Sequence, residues 1–567
     1  MYATPLILVV GDDRLTEEVC AALVATVGHQ VRVVWALDDE REAVFRRMGV
    51  PVTALAPTSD DALLTAGVAD AASILTLSPD DGLNLSVALR ARILNPRIRL
   101  VLRQFDTVLG RKLERNLADC TVLSPSVHAA QTYAGGALDN GCLYAIRFPE
   151  NEGPLVGFTQ HSASALGVDG LTVSEAEKHL RARIVALGAH EDPPASSFIS
   201  SGERITLFGC IVERREVTAR RTRSDRDADT HRPRPSFGIR DVLGAYSRIN
   251  PILRLLAVMA AGFFTLSYCF FHFSLGKTWT AAAFYVVETM TNVGFGEVAV
   301  TRRGPLITAG AIVAMLGGIV FTSIFIGYVS SALTRAQWIA MQGLRRIRAR
   351  DHVVVCGAGK VGTAVVNLLT AAGKKVVIIE PQPGPDLVRR ARERNVVLLT
   401  GDALGDGALD LCDITHATAA LTLTDSDTAN LEIALGARAR APGIPLVVRM
   451  EEPRFAHATA QLLGISTFSP TALSAPVFAG LARFPGTRGR LKYGGDDHTI
   501  GQRVQGEVPE RPPARECTAL CVWRRNELQL IHTFEEMEPF DVVLFSVPLG
   551  QFRAQAAASA EGVGANA

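Results

Sequence analysis

The sequence predicts a multidomain chain in which two α/β Rossmann-like units, each with a small α+β C-lobe, flank an α-helical domain with two membrane spans. Three observations predict it. Strand-length apolar runs at 6–10, 31–35, 74–77 and 100–102 alternate with amphipathic stretches such as 15–27 and 83–93, the pattern of a parallel sheet covered by helices. Two runs without a formal charge, 255–273 and 306–333, are long enough to cross hydrocarbon as helices. The first unit also recurs: Gly11 and Gly357, Asn84 and Asn430, and Arg103 and Arg449 all stand 346 positions apart, and TLSPDDGLNLSVALRAR is echoed by TLTDSDTANLEIALGAR.

In chain order, 1–140 is the first α/β unit and 141–212 its C-lobe, with a helical patch at 174–183 and a closing strand at 204–208. Residues 213–240 form a basic polar linker; 213–235 alone hold eight arginines, five acids and two prolines, the composition of a solvated tether, with contact to anionic lipid headgroups as the other reading. The membrane domain covers 241–345, with spans at about 252–273 and 306–334. The second α/β unit is 346–480 and its C-lobe 481–555, closing on a strand at 541–545 that echoes the first. Residues 556–567, rich in Ala and Gly, read as a disordered tail. Arg240, Arg248 and Arg254 precede the first span and Arg335, Arg345, Arg346, Arg348 and Arg350 follow the second, against Lys277, Arg302 and Arg303 between them. This places both termini in the cytoplasm of a protein of the cell (plasma) membrane, whose lipid bilayer is one of its partners.

The totals agree. A length of 567 residues suits three or four domains. A formal net charge of +1 makes no case for a nucleic-acid partner. The mean hydropathy of +0.20 is high because of the two spans. Of nine scattered cysteines only Cys517 and Cys521 are close, with no histidine cluster beside them, so buried free thiols of a reducing compartment are expected and a zinc site is not.

The second unit carries Gly357-Ala358-Gly359-Lys360-Val361-Gly362 directly after a strand and opening a helix, with Glu380 at the end of the next strand. Glycines admit a phosphate close to the backbone, the helix N-terminus favours negative charge, and the acid accepts from ribose hydroxyls while opposing a 2′-phosphate. The expected ligand is NAD(H) or an adenine nucleotide, ADP or ATP. The first unit is degenerate at the same places: Asp13 stands for Gly359, Thr16 for Gly362, Trp35 for Glu380 and Pro57 for Asp402. Asp12 and Asp13 would repel a pyrophosphate. That unit is expected to be structural, with the two acids in a solvated loop.

Between the spans, Phe284, Tyr285, Thr289 and Thr291 lead into Asn292-Val293-Gly294-Phe295-Gly296-Glu297, with an amphipathic segment from 279 to 290 before it. This stretch, 279–297, resembles the pore helix and selectivity filter of the two-transmembrane prokaryotic potassium channels. Alternating glycines let successive carbonyls face one axis and replace an ion's hydration shell. The resemblance implies an ion pathway along Thr291, Asn292, Val293, Gly294, Phe295 and Gly296, with K+ at Asn292, Val293, Gly294 and Phe295. It also implies a gating hinge at Gly317-Gly318, which equally suits a close-packing patch between helices. Asn292 departs from the family, where threonine precedes the valine.

The two α/β units resemble RCK domains (regulators of potassium conductance, TrkA-N type) through Gly357, Gly359, Gly362, Glu380, the run Gly401-Asp402-Ala403, and 424–430. This resemblance implies that Asp402 lies near the nucleotide. Asp425 and Asp427 hold a divalent ion in some relatives; here a helix N-terminal cap is the more economical expectation. Together the resemblances imply a homotetrameric potassium-selective channel, not an enzyme, gated by a cytoplasmic ring of RCK domains that bind nucleotide at the second unit. Two other readings stand beside it. Asn292 motivates a nonselective or non-conducting pore that serves as a membrane nucleotide sensor. A membrane-anchored NAD-dependent oxidoreductase is the second, although no constellation for hydride chemistry is found.

Overall fold

The structure is a computed structural model that describes residues 5–25, 30–36, 38–150, 153–211, 251–290, 304–341, 349–405, 407–504 and 517–549. The linker 213–240, the filter residues Thr291, Asn292, Val293, Gly294, Phe295 and Gly296, and the tail 556–567 lie outside the described residues. The chain forms two compact units, one made of 1–225 with 343–567 and the other of 226–342.

In the larger unit the first sheet consists of β1 (Leu6–Val10), β2 (Gln30–Val34), β3 (Val52–Thr53), β4 (Ala71–Thr76), β5 (Arg99–Arg103) and β6 (Cys120–Leu123). Its order is β3-β2-β1-β4-β5-β6, with every pairing parallel. This is the doubly wound arrangement, which opens a crevice at the C-terminal ends of β1 and β4. The strands are buried on both faces, β1 with four of its five residues in the core, which is why they read as apolar runs and not as alternation. After the first C-lobe the second sheet repeats the pattern as β14-β13-β12-β15-β16-β17, formed by β12 (His352–Cys356), β13 (Lys375–Glu380), β14 (Val397–Thr400), β15 (Ala417–Thr422), β16 (Leu446–Arg449) and β17 (Ser466–Phe468).

The C-lobes repeat as fully as the sheets. The first contains β7 (Cys142–Arg147), β8 (Leu155–Ser162), β9 (Arg183–Leu187), β10 (His190–Glu191) and β11 (Arg204–Cys210) in the order β10-β9-β11-β8-β7. The second contains β18 (Thr487–Tyr493), β19 (Asp496–Val504), β20 (Thr518–Arg524), β21 (Glu527–Leu530) and β22 (Val542–Pro548) in the matching order β18-β19-β22-β20-β21. The helical patch expected at 174–183 is shorter: the helix is Val173–Leu180, ended by Arg181 in the left-handed conformation (φ 49°), and Arg183 already begins β9.

Helix exchange ties the two repeats into one body. The helix Pro125–Leu138, which ends the first sheet, packs on the helix Lys360–Ala371 of the second repeat, while Pro470–Leu481 packs on Arg14–Ala25 of the first. Tyr133, Ala134, Val361 and Val365 share one core, and Leu15, Val19, Phe478 and Leu481 share another. The helix Pro125–Leu138 is buried on nearly every side and has no polar face to offer water, so it needs cover from both repeats. Gly136 permits the closest approach, because a Cβ there would lie 3.1 Å from Val447 Cγ2. Tyr133 donates to the Phe468 carbonyl at 2.6 Å and meets that ring edge-on. The lobes join as well: Tyr144, Phe158, Leu520 and Leu544 form a common core, and buried Arg183 donates to the Ile531 carbonyl at 2.7 Å.

Among the described residues the smaller unit contains the helices Pro251–Leu275, Trp279–Met290 and Pro305–Met341. Among the described residues, Pro305–Ile324 is the one stretch long and apolar enough to cross a membrane. Phe271, Ala282, Val286, Ala311 and Ala314 form its small core. Outside that core Leu266, Phe273, Leu306, Val313, Leu316 and Val320 are all more than half exposed, an apolar surface far larger than single scattered side chains. Gly317 is a packing position, for a Cβ there would meet Phe263 Cζ at 2.5 Å; Gly310 stands in the same relation to Phe270. Gly317 and Gly318, the expected hinge, lie within the continuous helix Pro305–Met341.

Candidate functional site

The crevice of the second repeat is built by its glycine loop. Gly357 follows β12 with φ 90°, a conformation that disfavours any Cβ, and a Cβ there would also press to 2.9 Å from the Thr424 nitrogen at the end of β15. A Cβ on Gly362 would overlap the Gly357 carbonyl oxygen, so this glycine lets the helix start tight against the loop. Gly359 is different: nothing lies within 4 Å of its Cβ position, so it borders open space. It is the N-cap of the helix Lys360–Ala371, and no side chain caps that end. The first backbone N–H groups of the helix therefore face the crevice without a side-chain acceptor, which suits an anion.

Glu380 ends β13, and its carboxylate accepts from the Ala358 N–H at 2.7 Å and from the Gln382 N–H at 3.4 Å. The acid is thus fixed against the glycine loop and only partly buried, leaving lone pairs for hydroxyl donors. Gly401 donates to the Glu380 carbonyl at 3.1 Å, which brings Asp402 to the same end of the sheet. Asp402 is exposed and accepts from the Leu404 N–H at 2.9 Å in a turn. Of the expected binding residues, Gly357, Ala358, Gly359, Lys360, Gly362, Glu380 and Asp402 gather at this crevice, whereas Val361 is buried in the core beneath it.

The first repeat fills the same place with its own side chain. Asp13 Oδ1 accepts from both the backbone N–H and the hydroxyl of Thr16 at 3.1 Å, and its other oxygen pairs with Arg103. A carboxylate thus sits at the helix N-terminus where the second repeat leaves Gly359 open. Asp13 is engaged rather than left in the plain solvated loop expected of it. Asp13 is a cap neutralised by Arg103, which also donates to the Leu77 carbonyl at 2.8 Å, and Asp12 lies 3.7 Å from Arg41. The Asp13 carboxylate thus takes the first-turn N–H that an anion would otherwise meet.

The acids near 425 also differ in role from the expectation. Ser426 is the cap of the helix Asp427–Arg440, accepting from the Ala429 N–H at 3.3 Å. Asp427 instead reaches across to accept from the N–H groups of Glu451 at 2.8 Å and Glu452 at 3.3 Å. Among the described residues no group of His, Cys, Asp and Glu is arranged to hold a metal ion. None of the nine cysteines is joined in a disulfide, and burial pushes the Cys20 and Cys412 thiols up to about 12.

Sequence reasoning missed two sets of contacts. Buried Asn430 donates to the carbonyls of Thr424 and Arg449, each at 3.0 Å, and accepts from the Thr424 N–H at 2.8 Å. Asn84 does the same with Ser78 and Arg103 in the first repeat. These asparagines clamp the ends of neighbouring strands that shape each crevice. Their exact recurrence in the repeat register was the available signal. Lys360, expected only as part of the loop, also reaches the other repeat and lies over the Phe105 ring.

Residues 7–125 and 353–469 each match the TrkA-N domain family. Both repeats therefore match this family, one with Gly359 bordering open space and one whose helix N-terminus is taken by Asp13. It is 28% identical over 180 residues to Potassium channel protein 1 of Methanocaldococcus jannaschii, across 30% of this chain and 53% of that protein. It is 24% identical over 181 residues to the voltage-gated potassium channel Kch of Escherichia coli, across 30% of this chain and 42% of that one. The chain thus matches about half the length of these relatives or less. Among solved structures it is similar to the GsuK channel, with TM-score 0.50 and 14% identity over 98% of this chain and 79% of that one, a likeness of fold. The resemblance to potassium channels with RCK domains is met by these matches.

Proposed function

We propose that the protein is a potassium channel of the cell membrane, assembled as a homotetramer, whose RCK domains open or close the pore in response to NAD(H) or an adenine nucleotide bound at the second repeat. The observation that carries the nucleotide reading is the contrast between the repeats: an uncapped helix N-terminus beside Gly359 and Glu380 in one, and a carboxylate in that position in the other. The relatives named as potassium channels and the apolar surface of the smaller unit support the pore. The filter is assigned to Thr291, Asn292, Val293, Gly294, Phe295 and Gly296, with K+ held by the carbonyls of Asn292, Val293, Gly294 and Phe295, on the sequence pattern alone. Both termini are assigned to the cytoplasm by the flanking arginines.

Mechanistically, the helix N-terminus and Lys360 take the phosphates while Glu380 accepts from ribose hydroxyls. A gate follows only if the ligand binds the open and closed packings with different affinity. The Asn292 departure supports a second reading, a nonselective or silent pore that keeps the nucleotide sensor. One experiment separates them: potassium and sodium flux from liposomes containing the full chain, with and without NAD, NADH, ATP and ADP, beside Glu380→Ala. Potassium flux that changes with a nucleotide, and no longer does in the variant, is the expected result. Flux that ignores every nucleotide removes the gating assignment, equal potassium and sodium flux removes selectivity, and no flux despite nucleotide binding favours the silent sensor.

A further inference from the structure

A second cleft lies in the first repeat, between the C-terminal ends of β5 and β6 and the helices Thr107–Asn116 and Pro125–Leu138. None of the proposed nucleotide-site residues lines it; its empty space, including the part open to solvent, is about 520 Å³. Gln104 lines it at 1% exposure, yet neither Nε2 nor Oε1 has a hydrogen-bond partner. The Ser124 hydroxyl, also in the lining, is buried and equally unpartnered. A buried primary amide with both ends unmade is costly, and native proteins rarely keep one without a reason.

The second repeat serves as an internal control. At the position of Gln104 it has Met450, fully buried in the core. At His128 it has Leu473, and at Gln131 it has Pro476. Ser469, the counterpart of Ser124, has its hydrogen bonds made: it accepts from the Ala472 N–H at 3.2 Å and donates to the Glu451 carbonyl at 3.2 Å. The same architecture therefore folds with an apolar filling here. The polar cleft is a property of the repeat whose glycine-loop site is closed by Asp13.

The chemistry narrows the ligand. The carboxylates of the lining are engaged: Glu150 pairs with Arg488, and Glu114 accepts from the Val122 N–H at 2.8 Å. Burial lowers the His128 pKa to about 4, so the ring is neutral near pH 7, and its Nε2 lies 3.0 Å from the Tyr144 hydroxyl. With Arg111 exposed and both carboxylates of the lining engaged, neither a metal ion nor a phosphate is suited to the interior. A primary amide offers one donor and one acceptor side by side, the complement of a carboxamide or a nucleobase edge. Val122, Leu123 and Val127 supply apolar walls for a ring.

We propose that the first repeat binds a small neutral planar ligand, presenting an adjacent donor and acceptor of the carboxamide or nucleobase kind, through Gln104 and Ser124. The chain then has two ligand sites of different chemistry, one in each repeat.

The test is titration of the full-length protein in detergent with nicotinamide and with adenine, followed by calorimetry and by saturation-transfer NMR. Saturable binding of at least one probe is expected, weakened roughly tenfold or more in Gln104→Met and also weakened in Ser124→Ala. Loss of binding in Gln104→Met, in a cleft that 357–362 and Glu380 do not line, separates this site from the nucleotide site. Gln104→Met, carrying the residue the second repeat uses, should keep or raise the melting temperature without ligand. No binding of either probe at millimolar concentration overturns the proposal. So does binding that survives Gln104→Met, or a lower melting temperature in Gln104→Met, which would mean the amide is already paired.

Discussion

The Lys360 ammonium nitrogen lies 3.3 Å from the centre of the Phe105 ring, so the first residue of the open helix N-terminus in one repeat is held by the loop after β5 in the other. The counterpart of Lys360 in the first repeat, Arg14, makes an ion pair of 2.8 Å with Glu452. Each repeat thus grips the other at the very residue that opens its first crevice helix. An anion arriving at 357–362 competes with Phe105 for the Lys360 charge.

That competition has a measurable sign. In Phe105→Ala the ammonium is released, and NAD or ADP should bind the full chain a few-fold more tightly, in line with a cation–π contact worth about 0.5–2 kcal/mol. Calorimetric titration checks this. Unchanged affinity would show that Lys360 takes no part in binding the phosphates.

Glu380→Gln keeps the size of the side chain and removes its charge. The loop contact with Ala358 survives through the amide oxygen, while acceptance from two ribose hydroxyls is weakened. Affinity for NAD should fall by about tenfold or more while affinity for NADP falls less, so the preference between them narrows. Retained tight binding of NAD would place the ribose elsewhere.

Asp13→Ala should destabilise the larger unit by about 1–3 kcal/mol, because it removes a helix cap and strands Arg103, whose side chain is 12% exposed. The double variant Asp13→Ala with Arg103→Met should recover part of that loss. Thermal unfolding of the four proteins in the cycle measures the coupling. Additive losses would show that the pair is not coupled in solution.

His128 makes stability fall on acidification. Its folded pKa is about 4, held down by burial, against about 6.5 when unfolded. The unfolded chain therefore takes up the proton first: the contribution is fully present above pH 6.5, declines below it, and is exhausted near pH 4. The span amounts to up to ~3 kcal/mol. Denaturant midpoints at pH 7 and pH 5 should differ more for the natural chain than for His128→Leu, the residue of the second repeat.

The parallel sheets were legible because their strands are buried on both faces and written as unbroken apolar runs. The glycine loop was legible because φ 90° at Gly357 and the contact at Gly362 leave little chemical choice. Less of the C-lobes could be read: turn residues at 139–141 and 149–154 mark the ends of β7 and β8, but nothing local fixes the pairing order β10-β9-β11-β8-β7. Asp13 announced its charge but not its place, since only the fold shows that its carboxylate reaches the Thr16 N–H. The helix Pro125–Leu138 signalled by its lack of a polar face that it is covered, but not that a helix more than two hundred residues later covers it. Gln104 was invisible for the same reason, because burial of a polar side chain is settled by tertiary packing.

The exchange of Pro125–Leu138 and Pro470–Leu481 also sets a timetable for biosynthesis. The first half leaves the ribosome with an apolar helix whose docking partner, Lys360–Ala371, has not been made, and whose own first helix waits for Pro470–Leu481. The segment 226–342 must be synthesised in between. Contacts this distant in sequence are closed late, so the nascent first half needs shelter from aggregation until the second is complete. A chain stopped after residue 225 would carry a permanent vacancy on both exchanged faces, and co-expression of 1–225 with 343–567 should rescue its solubility where either one alone fails.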